Sequence, residues 1–167
     1  MNVTIRPITY NDTDNIVRWR NSDFVNRRFL YRAQFTPESH NNWMKNMVET
    51  KKVYQFIISC DDKDVGSIYL RDVDLVNKKA EYGVFIGEAD YLGKGVGQSA
   101  TRLILDFAFT QLKLHKVFLR VLSDNIGAIK SYEKSGFVQE GFFRDEIYAD
   151  GKYESVIFMA VFNKEEV

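Results

Sequence analysis

The chain carries a single cysteine, Cys60, in 167 residues. That excludes an internal disulfide and is consistent with a reducing compartment. Cys60 ends the apolar run Val53–Cys60, where a small buried hydrophobe fits better than a catalytic thiol. Proline is nearly as scarce, with Pro7 and Pro37 alone, and no low-complexity stretch or repeat marks a linker. One domain over residues 1–167 is therefore expected. The two histidines, His40 and His115, have no ligand-type neighbours at a useful spacing, so no metal site is expected. Neither sign of charge is in excess: 23 basic residues balance 23 acidic ones. A nucleic-acid partner normally demands a basic surplus, so none is expected. No apolar run approaches the roughly 18 residues of a membrane span. The opening MNVTIRPITY lacks the basic-then-apolar order of a signal peptide, and a cytoplasmic location is expected.

What the sequence does have is apolar content, 45% with 14% aromatic, enough for a packed core. Its periodicity alternates between strand and helix, which predicts a mixed α/β domain. Strands are predicted at Asn2–Arg6, Val53–Cys60, Val65–Arg71, Lys79–Gly87 and Lys116–Leu122. In the Lys79–Gly87 strand, Tyr82, Val84 and Ile86 share one face, and Glu81, Gly83 and Phe85 the other. A first helix is predicted from Asp12 to Asn21, capped by Asn11. Ser22–Phe35 is irregular or a short helix. Thr36-Pro37-Glu38 is a strong helix start, its helix running to about Glu49. Further helices are predicted from Gly97 to about Leu112 and from Asn125 to Ser135. Leu103, Ile104, Phe107 and Ala108 fall at helical spacing in the longer one. A closing hairpin is predicted, Gly141–Ala149 and Lys152–Phe162, turned by Asp150-Gly151.

The chemistry-bearing stretch is Gly93-Lys94-Gly95-Val96-Gly97, a glycine-rich loop between a strand and a helix. Glycines let backbone approach a ligand, and a helix start offers unpaired N–H groups to an anion. The loop lacks the Gly-Lys-Ser/Thr ending of a Walker loop and the Gly-x-Gly-x-x-Gly spacing of a dinucleotide site. Behind it come Asn125-Ile126-Gly127-Ala128-Ile129 and Tyr132-Glu133-Lys134-Ser135-Gly136-Phe137. Together these segments resemble the GNAT superfamily of acetyl-coenzyme A–dependent N-acetyltransferases over roughly Ile5 to Phe162. The Leu92–Gly97 loop is similar to the family's Gln/Arg-x-x-Gly-x-Gly/Ala pattern, with Leu92 departing from Gln or Arg at its first position. The resemblance implies a single-domain α/β fold. Its central sheet is mixed and mostly antiparallel, with the fourth and fifth strands splayed and helices on the flanks.

It also implies roles. Backbone amides of Leu92, Gly93, Lys94, Gly95, Val96, Gly97 and Gln98 would hold the pyrophosphate of acetyl-CoA. The open edge at Val84, Phe85 and Ile86 would pair with the pantetheine arm, and Asn125 and Ala128 would face the cofactor. Asn125 could also cap its helix. Tyr132, on one helical face with Asn125 and Ala128, is the expected general acid for the departing thiolate, also touching the cofactor. Packing alone would be the bland account of this tyrosine. Glu81 is the candidate base, acting directly or through water, or else an ordinary strand acid.

For the acceptor, Trp19-Arg20-Asn21 and His40-x-x-Trp43 resemble a GNAT branch acting on amino groups of nucleotide-linked amino sugars. Trp19, Arg20, Asn21, His40 and Trp43 are thus the expected substrate residues, a guanidinium suiting a phosphate and an aromatic face a sugar or base. The same tryptophans could simply anchor helices. The chain also resembles ribosomal-protein N-terminal acetyltransferases and, in its hairpin Asp150-Gly151-Lys152-Tyr153, spermidine acetyltransferases. For a polyamine, Asp61, Asp62, Asp64, Asp72 and Asp74 are available acids. A module that binds acetyl-CoA without turnover is the alternative from another class. The expected partner is a small-molecule amine, with neither membrane nor nucleic acid. The oligomeric state is open, a homodimer being one option.

Overall fold

The computed structural model describes residues 1–165. Seven strands form one sheet: β1 Val3–Pro7, β2 Tyr54–Cys60, β3 Lys63–Asp74, β4 Lys79–Ile86, β5 Lys116–Leu122, β6 Val138–Ala149 and β7 Lys152–Phe162. Their order is β1-β2-β3-β4-β5-β7-β6. Every neighbouring pair is antiparallel except β4 and β5. Two tight turns set the hairpins. Asp61 and Asp62 (φ 48° and 63°) join β2 to β3, and Asp150 and Gly151 (φ 52° and 78°) join β6 to β7. Positive φ at both central residues matches the twist of the flanking strands. The first of these turns takes two residues, since β3 begins at Lys63.

The parallel pair is the feature that shapes the site. β4 and β5 are in register only at Lys79↔Lys116, Ala80↔Val117 and Glu81↔Phe118. Beyond Glu81 the strands diverge, leaving Tyr82–Ile86 without a partner on that edge. The expected splay of the fourth and fifth strands is therefore present.

Each face of the sheet has its own core. On one side α4 Val96–Asp106 brings Val96, Ala100 and Ile104 against Tyr82, Val117 and Leu119. Here Leu105 and Ala108 are buried while Leu103 is 39% exposed, so Leu103 belongs to the outer face and not the inner one. A π-turn, Phe107–Gln111, carries the helix to its expected end. The helix α5 Ile126–Lys134 lies on this side too, its Ala128, Ile129 and Tyr132 packed against the same core. On the other side α1 Thr13–Asn21, α2 Asp23–Asn26 and α3 Pro37–Trp43 enclose Ile16, Trp19, Val25, Met44 and Phe85. Thr36 caps α3 by accepting from the Ser39 N–H, as its sequence predicts. The residues after α3 form a π-turn, Met44–Val48.

Two local expectations are corrected. Asn11 does not cap α1. It lies within a 3-10 turn, Tyr10–Asp12, where the buried Asp12 carboxylate accepts from the Thr9 N–H (2.8 Å) and pairs with Arg6 (2.7 Å). The final hairpin also starts earlier, at Val138, because β6 pairs with β7 from Val138↔Ala160 onward.

Candidate active site

The alternation of β4 gives each side of the splay its own residues. Tyr82, Val84 and Ile86 point to the α4–α5 core, and Phe85 to the α1–α3 core. A cleft of about 1520 Å³ runs through the splay and is lined from both sides.

On the α4–α5 side the lining includes Val84, Gly93, Gly95, Gly97 and Gln98, with Asn125, Ala128 and Tyr132 opposite. Gly93 and Gly95 have φ of +70° and +80°, a region that costs other residues roughly 1–2 kcal/mol. A Cβ built on Gly93, Gly95, Gly97 or Gly127 would meet nothing within 4 Å. The backbone there is bare toward the cleft, and Gly95 stands immediately before the first turn of α4. Unpaired N–H groups at a helix start, reached over side-chain-free backbone, suit a pyrophosphate. The open edge of β4 offers backbone pairing to an extended amide-bearing arm. The residues present therefore fit acetyl-CoA. Leu92 lines the cleft and is 38% exposed, while Lys94 is not among the lining residues and its side chain extends over the Tyr91 ring. Asn125 makes no side-chain cap to α5, so of its two expected roles only contact with the cleft has geometric support.

Tyr132 stands edge-on to Tyr82, ring centres 5.8 Å apart, with Phe137 at 5.9 Å. Burial pushes its phenol well above the ordinary value. Its hydroxyl makes no hydrogen bond to a described residue, and the phenol stays protonated across the physiological range.

On the α1–α3 side the sequence-based expectations separate. Arg20, His40 and Trp43 line the cleft. Trp19 does not: it is 1% exposed, packs against Gly87 and Phe85, and donates from Nε1 to Glu88 (2.9 Å). Asn21 is also structural. Its amide donates to the Phe35 carbonyl (2.8 Å) and accepts from the Phe35 N–H (2.7 Å), tying the segment after α2 to α1. Helical geometry explains the split, because successive residues Trp19, Arg20 and Asn21 are turned about 100° apart.

Arg20 is the unusual group. Its guanidinium lies 3.7 Å from the centre of the Phe29 ring and 4.4 Å from that of Phe35. Nε is buried without a hydrogen-bond partner among the described residues, and no carboxylate pairs with it. Desolvation lowers its pKa, the nearby Tyr69 opposing and Arg71 reinforcing the shift.

Glu81 is 6% exposed and held by two arginines. Arg71 donates from Nε to Oε2 (3.1 Å), and Arg120 from Nε to Oε1 (2.9 Å). The Arg120 guanidinium is held above its ordinary value chiefly by that hydrogen bond. Arg71, Arg120 and Tyr69 are cleft residues that the sequence reading missed. The available signal was register: Tyr69 and Arg71 lie two apart on β3, opposite Gly83 and Glu81.

The sheet is parted between two strands, with the glycine-flanked start of α4 on one side and a chamber walled from the α1–α3 face on the other. A family profile described as an acetyltransferase (GNAT) domain matches residues 2–138, and the chain belongs to that family. Members take the acetyl group from acetyl-CoA, and this chain is an N-acetyltransferase. Spermidine N(1)-acetyltransferase of Escherichia coli (strain K12) is 28% identical over 160 residues, covering 96% of this chain and 86% of that protein. A prophage-derived N-acetyltransferase of Bacillus subtilis (strain 168) is 33% identical over 156 residues, covering 91% and 85%. Spermidine N-acetyltransferase from Vibrio cholerae, solved with CoA and spermine, superposes with a TM-score of 0.90 over 96% of this chain and 95% of that one. At 24% identity that likeness establishes the shared fold. Among the described residues no His, Cys, Asp and Glu cluster could hold a metal, and no helix is long and apolar enough to cross a membrane.

Proposed function

We propose that this enzyme acetylates a primary amine on an acceptor that also carries negative charge, a nucleotide-linked amino sugar being the best match. The observation that carries this reading is Arg20, a cleft guanidinium stacked between Phe29 and Phe35 with no carboxylate partner. An unpaired buried cation is costly and is relieved by an anionic ligand. Trp43, stacked on His40 at 5.9 Å, supplies a flat apolar face beside it.

Bound acetyl-CoA supplies an activated acyl group. The amine nitrogen attacks the thioester carbon, the C–N bond forms, the C–S bond breaks, and Tyr132 gives its proton to the departing sulfur. A backbone N–H on the open edge of β4 at Val84–Ile86 stabilises the oxyanion. Glu81 holds Arg71 and Arg120 in place, and it remains the candidate base, taking the amine's proton directly or through cleft water.

The second reading is polyamine acetylation, and the names of the relatives favour it over the sugar nucleotide. Of the five acids anticipated for it, Asp72 lines the cleft, joined by Asp124 and Glu146. Asp64 is engaged by Arg6 (2.8 Å). Turnover of acetyl-CoA with a UDP-linked amino sugar, spermidine and an N-terminal peptide, assayed side by side, decides. Exclusive acetylation of spermidine would sink the first reading. Association of two copies through edge strand β6, which leaves Val138, Phe142 and Phe143 exposed, completes the proposal and is tested by light scattering.

A further inference from the structure

The open stretch of β4 carries a glycine where a side chain would close the cleft. A Cβ built on Gly83 would stand 2.3 Å from both Cζ and Oη of Tyr69. Tyr69 lies opposite Gly83 in the β3–β4 register, so its ring crosses the glycine and its hydroxyl rests directly over the backbone. Gly83 is two residues past Glu81↔Phe118, the last β4–β5 pair, and so belongs to the splay. Only a glycine lets the phenol reach that point.

The Tyr69 hydroxyl lines the cleft and makes no hydrogen bond to any described residue. It stands on the α1–α3 face of β4, while Tyr132 approaches the same strand from the α4–α5 face. The two phenols are close enough that Tyr69 contributes to the upward shift of the Tyr132 phenol, after its burial. Arg20, Arg71 and Arg120 act on Tyr69 with Glu81, their nearest opposing carboxylate here, while Asp72, Asp124 and Glu146 line the cleft farther out. Like charges disfavour a second cation, so an ammonium entering here is pushed toward its neutral amine. A neutral amine needs an acceptor for its N–H, and a protonated phenol has oxygen lone pairs to offer.

We infer that Tyr69, admitted over the splay by Gly83, accepts a hydrogen bond from the attacking amine and aims its lone pair at the thioester carbon. Tyr132 serves the leaving sulfur on one side of β4, and Tyr69 serves the incoming nitrogen on the other. This rests on acetyl transfer to an amine and is independent of which amine is natural.

The test compares the parent enzyme with Tyr69→Phe, which keeps the ring over Gly83 and removes only the oxygen. The probe is hydroxylamine, a small amine largely neutral at the assay pH that can enter the cleft whatever the natural acceptor is. Acetyl transfer from acetyl-CoA to hydroxylamine should be accelerated by the parent and should fall about tenfold or more in the variant. The apparent KM for acetyl-CoA should stay within about twofold, since cofactor contacts lie on the other face. Equal rates in parent and variant, accelerated or not, overturn the inference. A sugar nucleotide that fails as acceptor would count against the proposed substrate and leave the hydroxylamine result standing.

Discussion

The Thr13 hydroxyl lies 3.0 Å from Nδ1 of His40 and donates its own proton to Asn41 Oδ1 (2.8 Å). With that proton spent, Thr13 can only accept from His40, so the imidazole carries its proton on Nδ1. Nε2 is then a bare acceptor, buried, facing the cleft wall and without a partner among the described residues. Desolvation lowers the His40 pKa below 6.5, Asp12 opposing and Arg20 assisting.

A pH effect on folding follows. The folded chain keeps His40 neutral, whereas the unfolded chain takes up a proton near the ordinary value of 6.5. The lowered pKa means the contribution is fully present above that value and is lost as pH falls below it, toward the folded pKa. Urea unfolding at pH 7.5 and 5.5 should show a smaller pH dependence in His40→Phe than in the parent. Identical dependence in the two proteins would mean that His40 charges freely in the native state.

The cofactor loop predicts a separation of affinity from turnover. Gly95→Val places a β-branched residue at φ +80° and should weaken acetyl-CoA binding in calorimetry while the far-ultraviolet spectrum is kept. The backbone strain should lower stability by about 1–2 kcal/mol. Unchanged affinity would show that the amides of this loop do not hold the pyrophosphate.

Tyr132→Phe keeps the packing against Tyr82 and Phe137 and removes the proton donor. Turnover should fall by about a hundredfold or more, the usual range for a general acid, with acetyl-CoA affinity nearly constant. A rate equal to the parent's would leave Tyr132 as a packing residue and assign sulfur protonation to water.

Arg20→Met preserves an apolar stem between Phe29 and Phe35 and removes the charge. For a sugar-nucleotide acceptor the apparent KM should rise tenfold to a hundredfold, as expected if a charge-assisted pair of about 1.5–3 kcal/mol is lost. Chemical denaturation should find the variant at least as stable as the parent, because the charge it loses is poorly compensated. A fall in the KM for spermidine instead would mean that Arg20 repels a cationic substrate, and the polyamine reading would then stand.

Local order and the cofactor side were legible because both are written in short-range pattern. Strand alternation placed Tyr82, Val84 and Ile86 on one face of β4. Gly93, Gly95 and Gly97 around the α4 start, together with Asn125, Ala128 and Tyr132, carry the resemblance to the GNAT acetyltransferases that implied acetyl-CoA, and no knowledge of the sheet was needed. Helix ends were read less well at Asn11, where a buried Asp12, paired with the half-exposed Arg6, sits in a 3-10 turn that local propensity does not anticipate.

The acceptor side was decided by tertiary structure. Trp19, Arg20 and Asn21 read as one motif, yet the helix sends Trp19 into the core, Arg20 into the cleft and Asn21 to the Phe35 backbone. Glu81 reads as a free strand acid until β3 and β5 bring Arg71 and Arg120 to its two oxygens. Tyr69 and Gly83 are 14 positions apart in sequence, and only the β3–β4 register stacks one across the other. Sequence by itself determined most of the elements and the glycine-rich turn into α4, since those depend on backbone conformation within a few residues. The chamber's charge and its exposed hydroxyls depend on side chains from strands far apart in the chain, so the sheet's pairing alone decided them.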